Sequence, residues 1–257
     1  MTDPVRGNAS NVNPVVSLVV PVYNEGPAVE PVLRSLTSAV TTPHEILVVY
    51  DYDEDPTVPV IARLGLELPA IRGHRNDLGR GVLNALKAGV VASRGRYVLV
   101  TMADGSDEPE LIDEMVRLAD RGADLVAASR YMPGGRQVGG PRLKALLSRV
   151  AGLSLHHVAG VRTHDPTNNF KLYTKRFLDG VTIESRAGFE LALELTVKAT
   201  IGGLRVAEIP TTWRDRTAGT SNFRLRQWLP HYLRWYLVAM RSRLWRRASG
   251  SQGSTGS

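Results

Sequence analysis

Two segments constrain the fold more than any other feature. VSLVVPVYNEG (16–26) and YVLVTMADGSDEPE (97–110) are each a β-branched apolar run that breaks off into polar and acidic residues. A strand that is apolar throughout is buried on both faces, as in a parallel sheet covered by helices. Such sheets bind their ligands where the strands end. The second segment delivers Asp104 and Asp107 to a strand end, where a carboxylate can hold a divalent cation against a diphosphate.

The intervening chain repeats the pattern. Strands are expected at 15–22, 45–50, 68–72, 97–102 and 125–129, with helices at 27–40, 57–65, from about 82, and at 109–121. Alternation of this kind implies right-handed βαβ units and an α/β fold with a mostly parallel, twisted sheet flanked by helices. Beyond 130 the pattern loosens. MPGGRQVGGPR reads as a mobile glycine-rich loop. A helix at 142–159 follows, then a loop and strand in DPTNNFKLYTKRF, a helix at 186–201 and a strand at 204–212. The 257 residues suffice for one large domain and an appendage.

Charge is unevenly placed. The net charge is +7, yet residues 213–247 hold nine arginines, one acid and all four tryptophans, so that window carries +8 and the remainder about −1. Residues 224–247 read as a basic helix with Leu225, Trp228, Leu229, Tyr232, Trp235, Tyr236, Ala239 and Met240 near helical spacing. Such a helix suits an anionic membrane surface; the alternative is a helix packed on the body with its arginines in water. Nucleic acid is a poorer partner, because the aromatics sit among leucines and not on a sheet face that could stack bases. The domain limits expected are 1–14 disordered, 15–223 the α/β domain, 224–247 the basic helix and 248–257 a disordered tail. There is no cysteine, which excludes thiolate metal sites and fits a reducing cytosol. Residues 1–14 lack the apolar core of a signal peptide. No stretch approaches the roughly 18–20 apolar residues that span a bilayer.

Four loops carry candidate chemistry. Pro21, Tyr23, Asn24 and Glu25 end the first strand, where an aromatic ring and polar edges could hold a nucleobase; an ordinary strand-to-helix turn reads the same way. Asn76, Gly79, Arg80 and Gly81 open a helix, where glycines permit close backbone approach and the helix end attracts phosphate. In ADGSD, Asp104 is the metal candidate, and Asp107 either joins it or caps the helix beginning near Pro109. In RDRTAGTSNF, Gly219 and Ser221 let a loop wrap a phosphate that Arg216 binds in bidentate fashion.

These segments together, over about residues 15–225, resemble the nucleotide-sugar-binding half of family 2 glycosyltransferases with the GT-A fold, and within them the polyprenyl-phosphate sugar synthases. The resemblance implies that Pro21, Tyr23, Asn24, Glu25 and Asp51 contact base and ribose. It implies that Asn76, Gly79 and Arg80, the last in place of the usual lysine, complete the donor site with Ala103 and Asp104. Asp104 aligns with the second aspartate of the Asp-x-Asp element and Ser106 with its polar neighbour, as ligands of Mg²⁺ or Mn²⁺. Met102 stands in the first aspartate's place and cannot coordinate such an ion. SRYMPGG resembles a segment whose arginine, here Arg130, lies near the acceptor phosphate. Asp165 and Glu194 match acidic positions of the family, Glu194 sharing a helical face with Glu190; the bland alternative is a pair of solvated helix acids. Arg216 and Ser221 match the acceptor-phosphate loop, with Asn222 where lysine is usual.

The implied activity is inverting transfer of a sugar from GDP-mannose or a UDP-hexose to a polyprenyl phosphate at the cytosolic membrane face, with catalysis by Asp104, Arg130, Asp165, Glu194 and Arg216. A membrane-protein partner would supply a missing anchor. Were the acceptor a hydroxyl, Asp165 or Glu194 would serve as base. A non-catalytic nucleotide-sugar binder is the reading from outside the enzymes, favoured by Met102.

Overall fold

A computed structural model describes residues 13–140, 142–215 and 225–251. Seven strands form one sheet: β1 (Val16–Pro21), β2 (His44–Tyr50), β3 (Ile71–Arg75), β4 (Tyr97–Val100), β5 (Leu125–Ser129), β7 (Lys171–Thr174) and β8 (Val206–Pro210). Their order is β3-β2-β1-β4-β7-β5-β8, and only β7 runs antiparallel to its neighbours. β6 (Arg136–Val138) and β9 (Thr212–Arg214) pair separately and parallel to each other.

The period of two along each strand sorts side chains to the two faces. Leu18, Val20, Ile46 and Val48 point to one side, where they meet α1 (Val29–Ala39), α2 (Val58–Glu67) and α4 (Ile112–Asp120). Val19, Leu47 and Val49 point to the other, against α3 (Val82–Ala92), α6 (Lys175–Gly180) and α7 (Leu191–Ile201). Both faces are therefore dry, which is why the strands read as continuous apolar runs. The amino-terminal end of the sheet is tied by buried Glu45. It accepts from Ser17 Oγ at 2.6 Å, Arg72 Nε at 2.8 Å and the Arg94 N–H at 2.7 Å. The carboxyl end is left for chemistry.

Several later elements differ from expectation: the helix expected over 186–201 begins at Leu191, and the strand expected over 204–212 is divided between β8 and β9. The helix expected over 142–159 is α5 (Arg142–Ser154), which widens into one π-helical turn, Leu155–Ala159, before left-handed Gly160. The glycine-rich loop, expected to be mobile, instead contributes β6 and lies against β9, with Gly134 on Pro210 and Gly140 on Trp213.

The final helix, α8 (Leu225–Ser251), packs on α7 and on the π turn. Trp235 and Ala239 are buried with Leu155, Val161, Leu193 and Val197, and Tyr232, Tyr236 and Met240 pack around them. Of the two readings of this helix, packing on the body holds for these residues. Among the residues of α8 whose side chains are described, Leu229, Leu233 and Leu237 are exposed, at 56%, 50% and 43%. They lie one turn apart on a single face.

α3 comes close to the sheet at Gly89, where a Cβ would fall 2.4 Å from a Val19 methyl. Overpacking there costs about 1–3 kcal/mol. Gly89→Val is expected to lower the urea midpoint by a corresponding amount without changing m. An unchanged midpoint would show that α3 can lift off β1 freely.

Candidate active site

The strand order defines where a ligand can sit. From β1 the chain runs outward to β2 and β3, then crosses back to β4 on the other side of β1. The crevice beyond the carboxyl ends of β1 and β4 is therefore a topological switch point. Pro21, Tyr23, Asn24 and Glu25 follow β1, and Ala103 and Asp104 follow β4, so the two loops flank this crevice.

On the β1 side, Asn24 adopts φ 58°, an unusual conformation for a residue with a side chain. Its N–H donates to Asp55 Oδ2 at 2.9 Å, and its side-chain oxygen accepts from Tyr52 Oη. Asp55 also accepts from the Thr57 N–H and is buried, so it is a turn anchor. Tyr23 and Tyr52 meet edge to face at 6.1 Å, and the Arg80 guanidinium lies 4.8 Å over the Tyr52 ring. Half-exposed Tyr23 and its neighbours thus make an aromatic shelf with a cation above it. Tyr52 was not singled out from the sequence. Its position one residue past Asp51 at a strand end was the available signal.

Asp51 is used within the protein. Its two oxygens accept from Asn76 Nδ2 at 2.7 Å and the Gly81 N–H at 2.8 Å. Asn76 Nδ2 also donates to the Gly79 carbonyl at 2.7 Å. Gly79 and Gly81 carry φ of 96° and 118°, which side chains resist. The carboxylate at the start of α3 is thus the chain's own, at the place where a phosphate was expected. The loop presents Arg80 outward, together with Asp77 and Leu78.

On the β4 side, Asp104 is half-buried and its Oδ1 accepts from the Ser106 N–H at 3.1 Å, a two-residue turn over Gly105 with φ 69°. Ser106 is buried, and its carbonyl accepts from the Arg214 N–H of β9. Asp107 does not cap a helix. Its Oδ2 accepts from Thr101 Oγ1 at 2.8 Å and the Met102 N–H at 3.2 Å, fastening the end of β4. Burial, with some help from the charge on Asp104, pushes its carboxyl up to about 6. Glu108 reaches the β8–β9 corner, accepting from Thr211 Oγ1 and the Thr212 N–H.

Arg130, at the end of β5, is held by Asp165. Nε donates to Oδ2 at 2.6 Å, Nη2 to Oδ1 at 2.9 Å, and the Arg130 N–H to Oδ2 at 3.1 Å. Asp165 is fully buried. Burial opposes both charges, but their mutual attraction outweighs it, so Asp165 lies below its ordinary range and Arg130 above. Beneath them Lys171 Nζ donates to the carbonyls of Asp165 at 3.1 Å, Pro166 at 3.3 Å and Asn168. Burial pushes its ammonium down to about 7. A lone lysine inside the apolar run FKLY was the sequence signal for this buried cation. Burial raises the Tyr232 hydroxyl of α8 above its ordinary range, with a smaller contribution from the charge of Glu190.

Glu194 and Glu190 are not solvated acids. Glu194 accepts from the N–H groups of Glu184 and Ser185 at 2.6 and 2.7 Å, and pairs with Lys198. Glu190 accepts from the N–H groups of Arg186, Ala187 and Gly188. Both are buried. They hold the loop before α7, and the structure leaves neither with the access that a base requires. Asp165 as a base meets the same objection, because its charge is bound to Arg130. Arg216 and Ser221 lie outside the described residues.

The signature of Glycosyl transferase family 2 matches residues 17–182. A polyprenol monophosphomannose synthase of Mycolicibacterium smegmatis is 32% identical over 212 residues, covering 79% of each chain. An undecaprenyl-phosphate mannosyltransferase of Micrococcus luteus is 32% identical over 214 residues, covering 80% of this chain and 86% of that one. Among solved structures, glucosyl-3-phosphoglycerate synthase of Mycobacterium tuberculosis, in complex with Mn²⁺, UDP and glucosyl-3-phosphoglycerate, superposes with a TM-score of 0.63 at 18% identity. That match covers 90% of this chain and 80% of that one, and it establishes a shared fold.

Asp107 gives a pH test. Its pKa rises from 3.8 to about 6 on folding. The native state therefore holds this proton more tightly. The associated stability is full below the unfolded value and is lost as pH rises through the folded one, on the order of 3 kcal/mol. Asp107→Asn keeps an acceptor for Thr101 and Met102 but does not titrate. Without divalent cations, urea unfolding is expected to show the variant gaining on the parent between pH 4 and pH 7. Parallel profiles would contradict the burial of this charge.

Proposed function

The chain belongs to glycosyl transferase family 2, and we propose that it moves a hexose from a nucleoside diphosphate to a polyprenyl phosphate with inversion at the anomeric carbon. The observation that carries this reading is the placement of the aromatic shelf and Asp104 on opposite sides of the β1–β4 crevice. A base and ribose on the shelf would direct the diphosphate toward Asp104 and Arg80. Mannose is the first sugar to test, because both relatives are named for it.

The donor set fits a hard divalent ion. Asp104 offers a half-exposed carboxylate and Ser106 a hydroxyl, while Met102 offers nothing such an ion prefers. Mg²⁺ commonly uses one or two carboxylates and takes the rest of its oxygens from substrate phosphate and water. The solved relative carries Mn²⁺ together with UDP. When bound, the cation would neutralise charge on the leaving diphosphate.

The acceptor argument rests on the bases. Asp165 and Glu194 are both buried and engaged. A hydroxyl acceptor needs a base; a phosphate monoester is already ionised at neutral pH and needs positioning. Arg130, oriented by Asp165, and Arg216 are the cations for that work. An acceptor phosphate oxygen bonds to the donor C1 as the bond from C1 to the β-phosphate oxygen breaks. The electron pair leaves with the nucleoside diphosphate.

Among the described residues no helix is long and apolar enough to cross a membrane. Contact with a lipid-borne acceptor is assigned to Leu229, Leu233 and Leu237 of α8, with exposed Arg234 and Arg241 beside them, and to exposed Leu146, Leu147 and Val150 of α5. The two helices meet where Ser154 and Tyr236 hydrogen-bond at 3.0 Å. Anionic membrane supplies the matching charge. A membrane-protein partner would act at the same side.

Two experiments test the reading. Nucleoside diphosphate release is measured across GDP- and UDP-sugars with Mg²⁺ or Mn²⁺, with and without a polyprenyl phosphate. Release is expected to depend on the lipid phosphate, and Asp104→Asn to reduce it at least 100-fold with the fold intact. Release indifferent to the lipid, or full turnover in the variant, would overturn the acceptor or the metal assignment respectively. Separately, replacing Leu229, Leu233 and Leu237 with Gln is expected to weaken sedimentation with anionic vesicles at least tenfold. Unchanged sedimentation would remove α8 from the membrane contact.

A further inference from the structure

Three histidines come together between the π turn after α5 and the loop that precedes Asp165. His156 and His157 occupy the π turn after α5, and His164 lies in the loop that precedes Asp165. One ring nitrogen from each lies within 4.8 Å of the other two. The His156 and His164 rings stack at 3.9 Å, and His157 stands edge-on to His156 at 4.8 Å. π turns are rare and recur at functional sites. This one places two consecutive histidines beside a third.

The hydrogen bonds fix how two of these rings face. His156 Nδ1 lies 2.8 Å from the Val161 carbonyl, which can only accept, so Nδ1 carries the proton and Nε2 keeps its lone pair. His164 Nδ1 lies 2.7 Å from Glu208 Oε2, with the same consequence. Glu208 is itself fastened, its Oε1 accepting from Thr163 Oγ1 and the His164 N–H at 2.7 Å each. A histidine that donates one N–H to a carboxylate or a carbonyl and bares the other nitrogen is the usual arrangement around a bound transition metal. His157 is exposed and can turn either nitrogen inward. The neutral ring is the form that binds metal.

We propose that His156, His157 and His164 form a three-histidine site for Zn²⁺, with Glu208 and the Val161 carbonyl orienting two of its ligands. The ligand chemistry separates it from the donor crevice. Imidazole nitrogens suit Zn²⁺ and its neighbours in the transition series, whereas the oxygens at Asp104 suit Mg²⁺ or Mn²⁺. Tetrahedral Zn–N bonds of about 2.0–2.1 Å place ligand nitrogens about 3.4 Å apart. Loading therefore requires the rings to close in and the His156–His164 stack to open. A fourth position faces solvent beside His157 and takes water. The site would bind the π turn to the loop that carries Asp165, and through Glu208 to β8. It would thus fasten the scaffold that holds Arg130. This assignment does not depend on the glycosyl-transfer reading.

The test uses the untagged full-length chain, stripped with a chelator and titrated with Zn²⁺ against a chromophoric competitor. One ion per chain is expected at micromolar or tighter affinity. His157→Ala changes an exposed side chain and is expected to weaken binding at least tenfold with unchanged circular dichroism. Glu208→Gln is expected to weaken it 10- to 100-fold. Asp104→Asn should leave it unchanged. With Co²⁺ in place of Zn²⁺, visible d–d bands of tetrahedral intensity are expected in the parent and not in His156→Ala/His157→Ala. Absence of a tight ion, tight binding that survives the double variant, or loss of the ion in Asp104→Asn would each overturn the proposal.

Discussion

The buried pair of Arg130 and Asp165 is the contact on which the carboxyl end of β5 and the loop before β7 depend. Asp165 has no exposed surface, and it takes three hydrogen bonds from Arg130. Removing either partner would strand a charge in the interior, a loss of about 3–5 kcal/mol. The pair also joins elements distant in sequence, the end of β5 and the loop before β7. Lys171 secures that loop from below through three carbonyls, and Asn168 ties it to the Ala128 carbonyl at 2.9 Å. An arginine so held has lost its freedom before any ligand arrives. That is the condition under which a guanidinium can position a phosphate without a further entropic penalty.

The donor side is organised differently, by backbone turns. Asn24, Gly79, Gly81 and Gly105 all carry positive φ, and Asp51, Asp55 and Asp104 satisfy the N–H groups that those turns expose. Acidic residues at the strand ends therefore divide into two kinds. Asp51, Asp55 and Asp107 fasten a strand end or loop to a separate segment, and half-buried Asp104 closes the two-residue turn over Gly105. A sequence pattern scores all four alike.

Much of this was legible beforehand, for physical reasons. Strands buried on both faces announce themselves as apolar runs, and β1, β2, β4 and β5 fell where those runs lie. Asp104, Arg130 and Asp165 sit at strand ends or in the adjoining loop, as their motifs implied. The direction of β7 was not legible, because four residues cannot reveal whether a strand is parallel or antiparallel to its neighbours. Helical periodicity put Glu190 and Glu194 on one face of α7 but could not show that residues 184–188 fold back upon them. The same limit applies to α8. Spacing identified an apolar face containing Trp235, yet only the packing of Leu155, Leu193 and Val197 shows that the body already covers it. Among the described residues of α8, the apolar face left open is the row of Leu229, Leu233 and Leu237.

The measurement that bears most directly on the account is the structure of the product. The chain would be incubated with the active nucleotide sugar and a polyprenyl phosphate, and the lipid product examined by proton and phosphorus NMR. A sugar joined through C1 to the lipid phosphate, its anomeric configuration opposite to that of the donor, is the expected result. A sugar carried on a hydroxyl group, with the polyprenyl phosphate unchanged, would contradict it.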